Sequence, residues 1–441
     1  MISLLCVLAL LIGVTYVNPN YRGDGSNSTT YVDHSKDVRY CIAEDGVDVT
    51  FRMQDGGTCW LYASVACMET SYRKKLGKDI DLNPMDFLNY IYAPVGEKEE
   101  GLFITDYVGA NKERGGEPLM CAETYADGFT YDKGQFYVVD SVTVLDGNDF
   151  EQLKEYLSRV GAISVGVPDT DDSKKSWKGG FRTLNHVTDR EEDYDHAVTL
   201  IGWDDAFPKD LYAGGASRDG AWIAYNSNYE SGYYYISYDT VLRTPLGFSL
   251  TDEYSKVLSY DCGNDLGLMP VYDVSEELPD DNRYEDGWCI GKGSTVKTAN
   301  VFDAGDAAAT GERLTAVGTY SRVESQDIVI EIYDRDLKKV KYTQNAHLDH
   351  MGYHVIELDK QLKIKDGFAI AITYESGATV EGEETELFNN VLYKPVSEPG
   401  KSFVYSDGEW VDLHSDGIKE RLGIVFEPNN ACIKALFAPK N

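Results

Sequence analysis

Hydrophobic and polar positions alternate along the chain in two different ways, which predict two kinds of structure. From Cys59 to Gly77 the apolar side chains recur at helical spacing, and Gly77 is a typical helix end. A second helix, with Asn148 or Asp149 as its N-cap, is predicted over about 149–160. Further helices are predicted over 83–91 and 103–113.

After these helices the pattern changes to short β-rich runs that are separated by loops containing Gly and Asp. A part with helices followed by a part with strands predicts an α+β fold. The predicted strands are AISVGV (162–167), HAVTLIGW (196–203), AWIAYNS (221–227) and GYYYISY (232–238).

From about residue 256 onward helix signals almost vanish, and alternating runs recur at nearly regular spacing. Such spacing is typical of an all-β antiparallel sandwich, so we predict a second domain of that class. The runs are TAVGTYS, QDIVIEIYD, GYHVIELD, GFAIAITY, KSFVYSD and ERLGIVFE.

The N-terminus begins with 17 almost entirely apolar residues, and Asn18-Pro19-Asn20 ends the run. This length fits a signal peptide or an uncleaved anchor, which predicts a secreted or cell-surface protein, although a basic start and a clear cleavage site are missing. A buried N-terminal helix is the alternative. The predicted parts are a signal peptide or anchor (1–20), a linker or short pro-segment (21–45), a first domain (46–255) and a second domain (256–441).

The charge of the chain and its cysteines argue against some kinds of partner and ligand. The chain has 74 Asp+Glu against 41 Lys+Arg, a net charge of −33, which would repel phosphate backbones and therefore argues against nucleic acid. The eight cysteines show no CxxC spacing, which argues against a zinc site, and we expect no metal. We also expect that the protein has no cofactor and is a monomer. Without Cys6, which lies in the leader, an odd number remains, which suggests a free thiol. A Cys262–Cys289 bridge and isolated thiols both stay open.

Cys59 lies in the stretch QDGGTCWLYAS, between a glycine-containing approach and the first predicted helix. It is either a packed small side chain, half of a disulfide, or a nucleophile. A cysteine attacks only as the thiolate, whose ordinary pKa is about 8.5, and a position in the first turn of a helix lowers that pKa. The placement favours the nucleophile.

Three other residues have the chemistry that such a nucleophile needs. His196 begins a predicted strand and could face the helix N-terminus as a base. Asn226, at the end of another strand, would orient the imidazole without adding a charge. Gln54 lies just before the nucleophile, where it and the Cys59 backbone N–H would bind an oxyanion.

The order Gln, Cys-Trp, Asp-His-Ala, Asn-Ser resembles the papain-like cysteine peptidases over about residues 45–245. The resemblance implies a papain-like fold with a helical half and an antiparallel β half, and endopeptidase activity on protein or peptide substrates through an acyl-enzyme. The residues it implies are Cys59, His196, Asn226 and Gln54 for catalysis, and Gly101 and Asp195 for substrate binding.

The chain departs from this family in two places that bear on the chemistry. Four residues separate Gln54 from Cys59 where the family usually has five, so we expect a tighter oxyanion loop. Asn228 stands where the family has the tryptophan that covers the His–Asn bond. A non-catalytic adhesin or carbohydrate-binding protein on a papain scaffold is therefore the alternative function. CWLYA also resembles the bleomycin-hydrolase branch, which leaves an aminopeptidase open.

The segment YSKVLSYDCGNDLG and the runs after it resemble the lectin-like domain that follows papain-type domains in some bacterial secreted and cell-surface peptidases. The resemblance implies contact with a glycan or the cell wall, or packing against the peptidase. Residues that could stack on a sugar are Trp288, Trp410, Tyr320 and Tyr405. Asp280, Asp281 and Asp286 could bind calcium, with a solvated loop as the alternative. His347, His350 and His354 suggest a metal site, but their spacing fits neither one helical face nor one strand face.

Overall fold

The structure of the protein is a computed structural model. The described residues are 32–54, 56–86, 128–131, 134–169, 171–190, 193–228, 233–261, 289–382, 385–387, 391–393, 397–424 and 426–440. The predicted leader, the helix over 103–113 and the acidic run 276–287 lie outside these residues. Among the helices that are described, none is long and apolar enough to cross a membrane.

The described residues of the first part of the chain contain two long α-helices and ten strands. The helices are α1 (Cys59–Leu76) and α2 (Phe150–Arg159). The strands are β1 (Arg39–Cys41), β2 (Phe129–Tyr131), β3 (Gln135–Val144), β4 (Ile163–Val167), β5 (Lys175–Lys178), β6 (Phe181–Leu184), β7 (His196–Asp204), β8 (Ala221–Tyr225), β9 (Tyr234–Ser237) and β10 (Arg243–Thr251).

Both long helices form where the sequence predicts them. Helix α1 ends at Gly77, whose φ of 62° is a left-handed conformation that glycine adopts without strain. Helix α2 is capped by Asp149, whose carboxylate accepts a hydrogen bond from the Gln152 backbone N–H at 3.0 Å. Of the helix predicted over 83–91, residues 84–86 are helical and the remainder lies outside the described residues.

The strands of the first part belong to one large sheet in which β7 lies between β4 and β8. All pairs among these three strands are antiparallel. Strand β1 pairs with β7 as well, through Tyr40 opposite Trp203. Residues 39–41 are thus part of the folded sheet, which corrects their assignment to a linker or pro-segment and places the start of the folded domain before residue 46.

The second part contains the remaining strands and two short helices. The helices are α3 (Gly305–Thr310) and α4 (Ile418–Leu422). The strands are β11 (Lys256–Leu258), β12 (Cys289–Ile290), β13 (Val296–Phe302), β14 (Arg313–Ser321), β15 (Gln326–Asp334), β16 (Val340–Leu348), β17 (Gly352–Leu362), β18 (Phe368–Tyr374), β19 (Ala378–Gly382), β20 (Thr385–Leu387), β21 (Val391–Tyr393), β22 (Ser402–Ser406), β23 (Glu409–Asp412), β24 (Pro428–Ala431) and β25 (Ile433–Ala438).

These strands form a sandwich, as predicted. One sheet has the order β16-β15-β18-β13-β22-β23, and its apolar face packs on β14, β17 and β25. Alternate residues of β15, Ile328, Ile330 and Ile332, point into this core and are almost fully buried. Their spacing of two residues is the pleat of a strand with one face buried, which is why the alternating pattern was informative.

The strand predicted at ERLGIVFE (420–427) is wrong. Its first residues belong to α4, which is bounded by Gly417 and Gly423 at φ values of 75° and 68°. These left-handed glycines end a short helix on both sides, and strand pairing resumes only at Pro428 in β24. The apolar alternation of this segment does not distinguish a single helical turn from a strand.

The two domains share one hydrogen-bonded sheet. Strand β17 of the second domain pairs with β3 of the first, through Gly352 opposite Thr143 and His354 opposite Ser141. The sheet therefore continues from the peptidase-like part through β17 and β14 to β25. The predicted division near residue 255 separates the parts in sequence, but the sheet crosses it.

Gly352 allows this junction because the two backbones approach very closely there. Its φ is +136°, and a Cβ at this position would lie 1.8 Å from the carbonyl oxygen of Val142. No side chain fits that space unless the strands separate, so the pairing of β3 with β17 depends on glycine.

We expect Gly352→Ala to destabilise the protein much more than Gly408→Ala. Gly408 also has a positive φ, +88°, but a Cβ there would meet nothing within 4 Å. Alanine at positive φ costs about 1 kcal/mol in both variants, and the clash with Val142 adds about 2 kcal/mol or more in the first. Urea unfolding followed by tryptophan fluorescence measures the difference, and equal losses would show that the junction tolerates a side chain.

Candidate active site

Cys59 is the first residue of α1, so its thiol lies at the positive end of the helix. The carbonyl oxygen of Thr58 accepts the first helical hydrogen bonds, from Leu61 and Tyr62. The first turn contains no acidic side chain that would oppose a thiolate. Cys59 is 8% exposed, which leaves the sulfur near the surface but largely removed from water.

His196 is the first residue of β7, and its imidazole contacts the Cys59 thiol. Its Nε2 lies 2.9 Å from Oδ1 of Asn226, the residue that follows β8. The imidazole thus donates to the amide from one nitrogen and faces the sulfur with the other. The structure brings together the thiol, the imidazole and the amide that the sequence placed on three separate elements.

Burial and pairing oppose each other at these two groups, and pairing prevails. Burial raises the pKa of the Cys59 thiol. The hydrogen bond to His196 and the positive charge of the imidazolium outweigh burial and lower that pKa below its ordinary value. Burial lowers the pKa of His196, but Cys59, Asp169 and Asn226 together raise it to about 9. Both directions favour a thiolate–imidazolium pair at neutral pH.

Asn226 is fixed by two hydrogen bonds to one oxygen. Its Oδ1 accepts from His196 Nε2 and from the backbone N–H of Asn228 at 2.9 Å. Asn228, which replaces the family's tryptophan, places its Nδ2 3.4 Å from the same imidazole nitrogen. Asn226 is nevertheless only 1% exposed, so the histidine–asparagine bond remains buried without an aromatic cover at residue 228.

Gln54 is held by two hydrogen bonds to Ser227, the residue after Asn226. Its backbone N–H donates to the Ser227 carbonyl at 2.9 Å, and its Oε1 accepts from the Ser227 hydroxyl at 2.7 Å. Its Nε2 donates one proton to the Gly56 carbonyl at 2.7 Å. Since an amide nitrogen carries two protons, the second remains available to an oxyanion. The short loop therefore keeps Gln54 beside the residues that contact His196.

The segment before Gln54 is fixed to the scaffold by a buried ion pair. Arg52 binds both carboxylate oxygens of Glu69, at 2.7 and 3.0 Å, and Glu69 is fully buried in α1. The hydroxyl of Tyr225, the last residue of β8, contacts the backbone of Arg52. The oxyanion segment, the helix and the strand leading to Asn226 are thus joined on both sides of the site.

Three residues at the site were not predicted from the sequence. Ser227 orients Gln54, as described above. Asp169 is a buried carboxylate whose Oδ2 lies 3.9 Å from His196 Nε2, and Tyr234 donates its hydroxyl to the other oxygen at 2.7 Å. The sequence signal for Asp169 was weak, since a Pro-Asp-Thr run after a strand is typical of an ordinary turn.

Of the two predicted substrate-binding residues, the structure describes only Asp195. Gly101 lies outside the described residues. Asp195 is exposed beside His196, and its Oδ1 accepts from the Asp169 backbone N–H at 3.2 Å. Asp195 is therefore at the site, and its contact there is with the backbone.

The three histidines near residue 350 each have a partner of their own. His347 pairs with Asp327 at 2.6 Å, and His350 pairs with Glu324 at 3.0 Å. His354 is bonded to the His350 carbonyl at 2.8 Å, and burial lowers its pKa to about 4. Within the described ranges no group of three or more His, Cys, Asp or Glu side chains could hold a metal ion. The carboxylates Asp280, Asp281 and Asp286 lie outside those ranges.

The aromatic residues proposed for sugar stacking separate into two environments. Tyr320 is buried and packs on Tyr353 at the junction of the domains, which excludes it as a stacking platform. Tyr405 and Trp410 are neighbours on paired strands, with ring centroids 5.1 Å apart, and Tyr405 is 44% exposed. Trp288 lies outside the described residues.

Cys41, Cys59 and Cys289 are free thiols. Cys262, the proposed partner of Cys289, lies outside the described residues. Burial raises the pKa of the Cys41 and Cys289 thiols, whereas that of Cys59 is lowered.

Comparison with known proteins agrees with this geometry. Residues 33–241 match the family described as papain family cysteine protease, and residues 285–437 match the lectin like domain. One similar solved structure is the clostridial cysteine protease Cwp84 after propeptide cleavage, with 18% identity, a TM-score of 0.66, and coverage of 91% of this chain and 99% of that chain. No curated protein sequence matches the chain.

A second similar structure contains the cysteine protease and lectin-like domains of Cwp84, a surface layer associated protein of Clostridium difficile. Its TM-score is 0.66 at 18% identity, and the match covers 91% of this chain and 89% of that one. Structural similarity at such low sequence identity shows a shared fold. The two family matches show which domain each part of the chain forms. Residues 33–241 of this chain are a papain family cysteine protease domain, joined to a lectin-like domain over residues 285–437.

Proposed function

We propose that the chain is an exported cysteine endopeptidase that hydrolyses peptide bonds in protein or peptide substrates. The observation that carries the proposal is the buried contact of the Cys59 thiol with His196, whose Nε2 lies 2.9 Å from Asn226. A thiol with a lowered pKa at a helix N-terminus, beside an oriented base, has the properties of a nucleophile. A thiol packed for structure alone needs neither partner.

In the proposed reaction the Cys59 thiolate attacks the carbonyl carbon of the peptide bond. The resulting oxyanion accepts hydrogen bonds from the Cys59 backbone N–H and from the second Nε2 proton of Gln54. His196 protonates the leaving amine, which departs and leaves a thioester on Cys59. The neutral imidazole then takes a proton from water, which attacks the thioester and releases the acid.

Asn226 serves this cycle because it is neutral. An amide oxygen accepts the Nε2 proton and fixes the ring in both protonation states, but it does not take the proton away. The imidazolium therefore keeps a proton to give to the leaving amine. Burial of the bond keeps water from competing for it.

The proposal extends to location and to the second domain. The apolar leader supports export, and the similar Cwp84 is a surface layer associated protein. Contact with a cell-wall glycan would use Tyr405 and Trp410, because they present adjacent rings on the outer face of the lectin-like domain.

Replacing the nucleophile should abolish hydrolysis. We expect Cys59→Ala to lower kcat/KM on casein by at least about 10³-fold, whereas Cys67→Ala keeps nearly the parent activity. Cys67 is a matched control because it lies on the same helix and is fully buried. An epoxysuccinyl probe should label the parent and the Cys67→Ala variant only. Undiminished cleavage by Cys59→Ala would refute the assignment, and cleavage restricted to peptides with a free N-terminus would favour the aminopeptidase.

The pH profile of kcat/KM should extend well above neutrality. His196 has a pKa raised to about 9, so the imidazolium persists until the pH passes that value, and activity falls above it. On the acid side activity should fall only below the ordinary thiol pKa, because the pKa of Cys59 is lowered. Initial rates across the pH range measure both limbs. An alkaline limb near the ordinary histidine pKa of about 6.5 would contradict the paired state.

Removing the oxyanion donor should slow hydrolysis without changing the nucleophile. We expect Gln54→Ala to lower kcat by about 10²-fold and to leave the rate of alkylation by iodoacetamide unchanged, since alkylation forms no oxyanion. Gln135→Ala, an exposed glutamine on β3, is the control and should match the parent. A parallel loss in alkylation would show that Gln54 supports the structure of the site instead.

A further inference from the structure

Asp169 brings a buried carboxylate to the side of His196 that faces away from the nucleophile. It lies two residues beyond β4, whose last residue Val167 is paired with His196 across the sheet. Its Oδ2 is 3.9 Å from His196 Nε2, and the residue is 6% exposed. This distance is too long for a hydrogen bond, but it is short for two opposite charges removed from water.

The carboxylate is fixed by contacts to its other oxygen. Tyr234 of β9, itself almost fully buried, donates its hydroxyl to Oδ1 at 2.7 Å. Lys175 of β5 lies 3.5 Å from the same oxygen and 3.1 Å from the exposed Asp172. Because both partners approach Oδ1, Oδ2 is left directed at the imidazole.

We propose that Asp169 is a positioning residue, whose charge stabilises the imidazolium of His196 and keeps its Nε2 side turned away from Cys59. This inference rests on the proposed function and deepens it. It places a buried charge on the side of the imidazole where the family's tryptophan is replaced by Asn228. Because the neutral Asn226 accepts the Nε2 proton, Asp169 acts through the field and does not remove the proton.

The other charged and polar groups around His196 set the size of the effect. Cys59 contacts the imidazole from α1, Asn226 and Asn228 face its Nε2 from the end of β8, and Asp195 precedes the histidine in the chain. Lys175 neutralises part of the Asp169 charge. A carboxylate within 4 to 6 Å typically shifts a pKa by 1 to 3 units, so with Lys175 nearby we expect about one unit.

The test is the Asp169→Asn variant of the full chain, which keeps the shape and an acceptor for Tyr234. We expect the alkaline limb of kcat/KM to move down by about one pH unit, while the acid limb, which reports Cys59 on the other side of the ring, stays in place. Asp172→Asn is the matched control, since it removes a charge from the same loop and the same lysine. Its profile should coincide with that of the parent.

A second measurement needs no substrate. Proton–carbon NMR of the full chain labelled at its histidines, with His196→Gln to assign the resonance, should show the same downward shift of the His196 titration in Asp169→Asn. A smaller shift in the same direction is expected for Tyr234→Phe, which frees the carboxylate and also serves if Asp169→Asn does not fold.

Four outcomes separate the failure of this inference from the failure of the proposed function. An unchanged His196 titration in a folded variant, or a reduced plateau with both limbs in place, overturns the positioning role. An equal shift in Asp172→Asn overturns it too, because any nearby charge would then suffice. A parent that hydrolyses no peptide refutes the proposed function, while the NMR titration still decides whether Asp169 stabilises the imidazolium.

Discussion

A charged thiolate–imidazolium pair has to be stabilised at a site from which water is largely excluded, and the arrangement around Cys59 and His196 meets that constraint. Each group alone would be neutral there, because burial disfavours both charged forms. The helix N-terminus, the neighbouring imidazole and the amide of Asn226 reverse this preference together. Each group therefore stabilises the charged form of the other, so the proposed function depends on the relative position of α1 and β7.

The scaffold provides that relation through contacts that cross the site. Gln54 is bonded to Ser227 by backbone and side chain, and Arg52 joins the same segment to Glu69 inside α1. A shorter loop before Cys59 is compatible with this arrangement because the position of Gln54 is set by Ser227 and by the ion pair behind it. Rigid support of this kind is what a catalytic group needs when a displacement of an ångström would matter.

The shared sheet joins the peptidase domain to the lectin-like domain more closely than a linker would. Strand β17 pairs with β3, and Gly352 lets the backbones approach at the point of contact. Backbone hydrogen bonds therefore connect the second domain to the first, in addition to the covalent chain.

The sequence alone predicted the local elements and pointed to the residues of the proposed catalytic site. Helical spacing identified α1, alternation identified β14, β15 and β17, and the order of Cys59, His196 and Asn226 identified the family, because these signals arise from residues close together in the chain. The features that depend on distant pairing came only from the tertiary structure: the strand at residues 39–41, the sheet that crosses the domains, and the buried Asp169 facing His196. Such contacts join residues far apart in the chain, and no local pattern specifies which strand lies next to which.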